Sequence, residues 1–218
     1  MKYIFRISAF FLLIYFYSII PGYAQQNKEK GTWTPLFNGK DFTGWTQLGG
    51  DANFRVENKE MVGTSKTGTP SSFMVTKKHY SNFILEFELK IDTAMNSGIQ
   101  FRSNSLPEFE KGRVHGYQIE IDPSARAWSA GIYEEGRRGW LFDLSKNEAA
   151  RKAFKNGEWN KYRLEADGPS LKTWINGVAA ADLKDDATAS GFIGLQVHST
   201  KKERPMEVRL RNIKIQEK

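Results

Sequence analysis

The chain has 218 residues, 39% of them hydrophobic and 26% charged, with a formal net charge of +7. That mix excludes a collagen-like or disordered chain. The absence of cysteine excludes disulfides, thiolate metal sites, iron–sulfur clusters and a cysteine nucleophile. With only three histidines, at positions 79, 115 and 198, a three-histidine zinc site would need all of them.

The N-terminus reads as a targeting segment. Lys2 and Arg6 precede an uncharged apolar run over 7–20, too short to cross a bilayer at about 20 residues per span. Gly22 and Ala24 supply the small residues of a cleavage site, so 1–24 is expected to be a secretory signal peptide. Cleavage after Ala24 removes 24 residues and two cations, leaving 194 residues at net charge +5. A periplasmic location is expected. No membrane attachment is expected after cleavage, and no nucleic-acid partner, because the basic residues are interleaved with acidic ones. Residues 25–31 (QQNKEKG) read as a flexible tail, and 32–218 as one domain, since no linker-like stretch interrupts it.

From Trp33 onward the pattern has period two, the signature of half-buried strands. Phe83, Leu85, Phe87, Leu89 and Ile91 share one face of a strand, and Ile84, Glu86, Glu88 and Lys90 the other. Ile99 and Phe101 point inward on the next strand, Gln100 and Arg102 outward. In 116–122 Tyr117, Ile119 and Ile121 face inward, leaving Gln118, Glu120 and Asp122 outside. The one helix-like stretch is 145–154, with Ser145 placed as its N-cap and Glu148 three residues on. Strands over 159–167 and 171–175 lead to Asn176-Gly177, a pair suited to a type I′ hairpin turn, with 178–183 returning. In 192–198 Ile193, Leu195 and Val197 alternate with Gly194, Gln196 and His198. In the last strand Val208 and Leu210 are out of phase with Ile213 and Ile215, which predicts a bulge near Arg211-Asn212. Many short strands, hairpin turns and almost no helix predict an all-β, antiparallel two-sheet jelly-roll sandwich.

The outward residues carry the chemistry. Glu86, Glu88, Gln100, Arg102, Gln118, Glu120, Asp122, Gln196 and His198 are hydrogen-bonding and acid/base groups without a lysine among them. If their strands are neighbours, they converge on one surface. Glu120 and Asp122 lie about 6.5–7 Å apart along one strand face. That spacing suits a base and an acid, or two ligands of a divalent cation. By alternation, Arg102, Glu120 and His198 are expected to share a cleft.

Five segments together resemble the 3-keto-disaccharide hydrolase domain family: LFNGKDFTGW (36–45), ILEFELKIDTAMNSGIQFRS (84–103), GYQIEID (116–122), GEWNKYRLEADGPSLKTWING (157–177) and GFIGLQVHSTKKERPMEVRLRNIKI (191–215). The chain departs where the family usually shows Gln-Asp-His-Gly and here reads Gln196-Val197-His198-Ser199. The resemblance implies a concanavalin-like sandwich, export, and cleavage of glycosides first oxidised at C3. A C3 ketone acidifies the C2 proton, so a base can remove it and the C1 substituent leaves by β-elimination, with water adding afterward. Glu120 or His198 would serve as base, and Arg102, or a cation held by Glu120 and Asp122, would stabilise the enolate oxygen. Gln100, Gln118 and Gln196 would hold sugar hydroxyls, with Glu86 beside them. Trp128, Tyr133 and Trp140 would stack on a sugar face. Two other readings stand beside this one: a non-catalytic carbohydrate-binding module, and an ordinary glycosidase with paired carboxylates.

Overall fold

The computed structural model describes Met1 and residues 31–218. The chain divides into Met1–Lys30 and Gly31–Lys218, and the second unit is the sandwich described below. The expected signal peptide lies outside the described residues apart from Met1, as does the expected tail apart from Gly31.

In chain order the strands are β1 (Thr34–Pro35), β2 (Trp45–Gly49), β3 (Asn53–Glu57), β4 (Glu60–Thr64), β5 (Ser72–Thr76), β6 (Phe83–Ile91), β7 (Ser97–Asn104) and β8 (His115–Ile121). They continue as β9 (Ile132–Glu135), β10 (Gly139–Phe142), β11 (Asn160–Asp167), β12 (Ser170–Ile175), β13 (Val178–Lys184), β14 (Phe192–Val197) and β15 (Glu207–Glu217), with one helix, α1 (Glu148–Ala153), between β10 and β11. One sheet runs β13-β12-β11-β6-β15-β4-β3, with β1 also paired to β15; the other runs β10-β9-β8-β7-β14-β5-β2. The protein is an antiparallel two-sheet jelly-roll sandwich. The central strands of both sheets come from distant parts of the chain, as in β6 beside β11 and β15, and β14 beside β5 and β7.

Alternation dictates the core. Phe83, Leu85, Phe87, Leu89, Tyr162, Leu164, Val208 and Ile215 from one sheet meet Ile99, Phe101, Tyr117, Ile119, Ile121, Leu195 and Val197 from the other, all buried. Phe87 stacks on Tyr162 at 5.0 Å and Phe101 on Tyr117 at 5.3 Å. Each such side chain, fully buried, contributes about 1.5–3 kcal/mol. The Asn176-Gly177 turn has φ of 49° and 84°, the two positive angles of a type I′ turn. The β15 register shifts between Arg211 and Lys214, with Asn212 at φ 53°, which restores Ile213 and Ile215 to the core. The helix is shorter than expected. Its N-cap is Asn147, whose side chain accepts from the Ala150 amide at 3.1 Å, whereas the Ser145 amide is held by Asp143.

Candidate functional site

The outer face of the seven-stranded sheet gathers the amide residues. Cross-strand register sets Gln196 beside Gly98 and Gly98 beside Glu120, while Gln100 pairs with Gln118 and Gln118 with Tyr133. Residues facing away from the core were expected to meet water, yet Gln100, Gln118, Glu120 and Gln196 are buried. Strands β7, β8 and β14 are therefore covered on both faces. Part of this outer face is apolar: Phe73, Val75, Val114 and Phe192 form a second hydrophobic cluster, with Leu48 against it.

Within the polar part the hydrogen bonds run in one direction. The Ser103 hydroxyl donates to Gln100 Oε1 at 2.8 Å. Gln100 Nε2 donates to Gln118 Oε1, and Gln118 Nε2 donates to Glu120 Oε2 at 2.7 Å. Asn96 Nδ2 donates to the other carboxylate oxygen, Oε1, at 2.6 Å. An ionised carboxylate only accepts, so its charge sets the polarity of this relay. Burial pushes the Glu120 carboxyl above its ordinary range and the nearby Asp122 charge adds to this, while the two amide donors and His198 oppose it.

His198 follows β14 and is exposed, with Nδ1 2.7 Å from the Ser199 carbonyl oxygen. A carbonyl only accepts, so Nδ1 carries a proton, and Nε2 is the ring nitrogen left to take up or give up another. Tyr133 stands on the same face, and burial together with the charges of Glu135 and Glu120 raises its phenol pKa. Gln196 Nε2 donates to Glu135 Oε2 at 3.1 Å, whereas the buried Gln196 Oε1 has no hydrogen-bond partner. The structure thus brings together Glu120, Gln100, Gln118, Gln196, Tyr133 and His198.

Four expectations are corrected. Arg102 is not in this group. A bulge between Phe101 and Asn104 puts Arg102 at φ 45° and reverses the alternation. Its buried guanidinium bonds the Ser81 carbonyl at 2.6 Å, the Gly168 carbonyl at 2.8 Å and Asn82 Oδ1 at 3.1 Å, all in segments flanking the other sheet. Glu86 belongs to the outer face of the eight-stranded sheet, bonded to Arg163 at 2.7 Å with Lys214 at 3.1 Å and Lys161 at 3.6 Å. Glu88 lies beside it, paired with Arg211 at 2.9 Å. Asp122 turns to its own loop, accepting from the Ser124 amide at 3.1 Å and from Arg126 Nε at 3.0 Å. Glu120 and Asp122 do not fit a shared cation, because N–H donors occupy the oxygens of both. Among the described residues no three carboxylate or imidazole groups are arranged to hold one. Trp140 stands opposite Tyr133 on the same face and packs edge-on against Trp128 at 4.9 Å and Tyr133 at 5.4 Å, with Arg126 over both indoles.

Sequence reasoning missed Asn96, Ser103 and Glu135. Glu135 was within reach, since counting outward from the buried Ile132 puts Tyr133 and Glu135 on one face. Asn96 belongs to the NSG turn (96–98) that leads into β7, and its side chain makes the contact to Glu120.

A family model described as a 3-keto-alpha-glucoside-1,2-lyase-like domain matches residues 32–216. Among solved structures, a candidate glycosyl hydrolase of Parabacteroides distasonis ATCC 8503 is 22% identical, with 89% of this chain and 97% of that one covered at a TM-score of 0.62. The carbohydrate-binding module CBM66 of Bacillus subtilis is 15% identical over 79% of this chain and 95% of its own, with a TM-score of 0.54. The β-glucanase of Bacillus licheniformis is 12% identical over 88% of this chain and all of its own, with a TM-score of 0.53. At these identities the likeness is one of fold. No curated protein matches the chain.

Proposed function

Because the chain belongs to the 3-keto-alpha-glucoside-1,2-lyase-like domain family, whose model spans residues 32–216, we propose that it cleaves 3-keto glucosides by elimination across C1 and C2. The observation that carries this reading is the environment of Glu120. Both its oxygens accept from amide N–H groups that cannot accept in return. With the amides in this orientation the carboxylate is the form they hold, since a protonated Glu120 would need Gln118 to turn its oxygen toward it. Burial makes that anion more basic than an ordinary carboxylate. A buried base of raised proton affinity suits the removal of a proton next to a ketone.

In the proposed reaction the Glu120 carboxylate takes the C2 proton. The C2–H electron pair forms the C1=C2 double bond as the C1–O bond breaks, and the leaving oxygen takes a proton delivered by His198 Nε2. Later addition of water to the enone makes the net change a hydrolysis. The amide groups of Gln100 and Gln118 hold Glu120 in place. The targeting-like segment 1–24 supports an exported enzyme that meets its glycosides outside the cytoplasm.

The test is to incubate the protein with α,α-trehalose and with its 3-keto derivative. Glucose release from the 3-keto sugar alone, with transient ultraviolet absorbance from the enone, is the expected result. Equal release from both would make it an ordinary glycosidase. Binding without release from either would make it a binding module.

A further inference from the structure

The bulge that takes Arg102 away from the Glu120 face buries a charge elsewhere. Its guanidinium holds the Ser81 carbonyl at 2.6 Å, the Gly168 carbonyl at 2.8 Å and Asn82 Oδ1 at 3.1 Å, and all three acceptors are neutral. Among the described residues no carboxylate forms an ion pair with it. Asp167 acts on it only from a distance, and is itself bonded to Lys218 Nζ at 3.0 Å. Burial lowers the Arg102 pKa, yet a guanidinium keeps its proton in proteins, so the charge stays. Buried charges are as a rule paired, because the lost hydration is costly.

A cavity of about 300 Å³ meets this charge. Its border includes Ser81, Asn82 and Gly168, the three residues that Arg102 grips, and Asp186 and Ala189 of the loop between β13 and β14. Those five are exposed and Arg102 is buried, so the guanidinium is the floor of a pocket with an open rim. The volume lies at the lower end of small-molecule sites, roughly 300–1,000 Å³. We propose that this cavity binds a small monocarboxylate, with Arg102 as its counter-ion. Glu120 does not line the cavity, and the inference holds whatever Glu120 does.

The donors and the charge select the ligand. A guanidinium has five N–H groups. Three are used, one on each nitrogen, which leaves one on Nη1 and one on Nη2. Two donors on neighbouring nitrogens match the two oxygens of a carboxylate. Pro169 and Ala189 offer carbon surface to the body of the ligand. Among the described lining residues only Asp186 carries a negative charge. One added negative charge balances Arg102, whereas a dianion meets repulsion from Asp186 at the rim.

The walls are set before a ligand arrives, which lowers the cost of binding. Asn82 Oδ1 also accepts from the Gly168 amide at 2.9 Å, in a turn where Gly168 takes φ 52°. Asp185 is gripped through both oxygens by Arg138 at 2.9 Å and bonded by the Tyr117 hydroxyl, and its amide donates to the Pro169 carbonyl at 2.8 Å. Arg137 Nη2 holds Thr188 Oγ1 at 2.7 Å. These bonds pin the loop and commit Asp185 to Arg138 and Tyr117, so it does not serve Arg102.

The experiment follows Tm at neutral pH as sodium acetate replaces sodium chloride at constant ionic strength. Acetate at ten times its Kd is expected to raise the wild-type Tm by about 3–6 °C, because a ligand held by the folded state alone stabilises it. Arg102→Met should abolish the rise. Where that variant does not fold, Asp186→Asn serves, since it alters only an exposed rim residue. Acetate should then act at about 2–10-fold lower concentration, because a like charge has left the rim. A wild-type Tm indifferent to the exchange overturns the proposal. So does a rise that survives in Arg102→Met, or a dose dependence that Asp186→Asn leaves unmoved. A rise at least as large with phosphate at the same concentration overturns the monocarboxylate and makes the site one for phosphate.

Discussion

Replacing Glu120 with glutamine separates chemistry from folding. Taken alone, the substitution sets an NH2 group against either Gln118 Nε2 or Asn96 Nδ2, since both carboxylate oxygens now accept. A buried donor left without an acceptor costs about 1–3 kcal/mol. The relay can avoid that cost by reversing. Gln118 turns its oxygen toward the new amide, Gln100 turns its oxygen toward Gln118, and the Ser103 hydroxyl accepts from Gln100 while donating to the Tyr117 carbonyl, 3.0 Å away. Every group then keeps a partner, with Asn96 still donating to the remaining oxygen. The variant also loses a buried carboxylate whose pKa is raised by burial. A raised carboxyl pKa means the folded protein loses stability as pH rises through it, so removing the group relieves that loss at neutral pH. Glu120→Gln is therefore expected to melt within a few degrees of wild type or above it at pH 7. Its turnover of 3-keto glucosides should fall about 10²–10⁴-fold, the usual contribution of a general base. Thermal melts followed by circular dichroism and initial rates on one preparation check both. A melting point more than about 5 °C below wild type would refute the reversible relay, because a chain of this size loses about 2–4 °C per kcal/mol. Near-wild-type turnover would remove Glu120 from the chemistry.

Two further outcomes concern groups outside the site. Glu134 is buried on β9 against Arg137 and Arg138, and Arg138 also grips both oxygens of Asp185 at 2.9 Å. Glu134→Gln breaks a buried charge cluster, a loss of about 3–5 kcal/mol and hence about 6–20 °C in Tm, read by calorimetry; an unchanged Tm would contradict it. Arg102→Met removes the three bonds that Arg102 makes to Ser81, Asn82 and Gly168, so Tm should fall while kcat on 3-keto-trehalose stays within about threefold. A selective collapse of kcat at unchanged Tm would return Arg102 to the site.

The strand faces were legible because alternation is local: each inward set in 83–91, 116–122 and 192–198 is buried as read. What alternation cannot reveal is where the count breaks or which strands meet. Arg102 carries no cue for a left-handed backbone, a conformation uncommon for non-glycine residues, so the reversal at its bulge was invisible. The outward direction of Glu86 and Glu88 was read correctly, but their neighbours come from β11 and β15, more than 70 residues on, where Lys161, Arg163, Arg211 and Lys214 stand opposite. The burial of Gln100, Gln118 and Gln196 likewise depends on what covers the outer face, which no single strand encodes.

The two outer faces treat a carboxylate in opposite ways, and that difference bears on catalysis. On the eight-stranded sheet, against desolvation by burial, hydrogen bonds from Lys214 and Arg163 and the charges of Lys161 and Lys214 bring the Glu86 pKa below its ordinary value. On the seven-stranded sheet, Glu120 is held by neutral amides, which orient it without neutralising it, and burial leaves it more basic. A lysine in place of an amide would satisfy the same oxygen but surrender the basicity. Asn96 is half-buried at the edge of the group, so Asn96→Lys can bring an ammonium to Glu120 Oε1 without entering the core. An opposite charge at that range lowers a carboxyl pKa by about 1–3 units. The acid limb of the kcat/KM profile for 3-keto-trehalose should then move to lower pH by that amount. The plateau should fall, because a weaker base abstracts the C2 proton more slowly. A limb that stays in place while the plateau falls would mean that the titrating base is another group, with His198 the next to test.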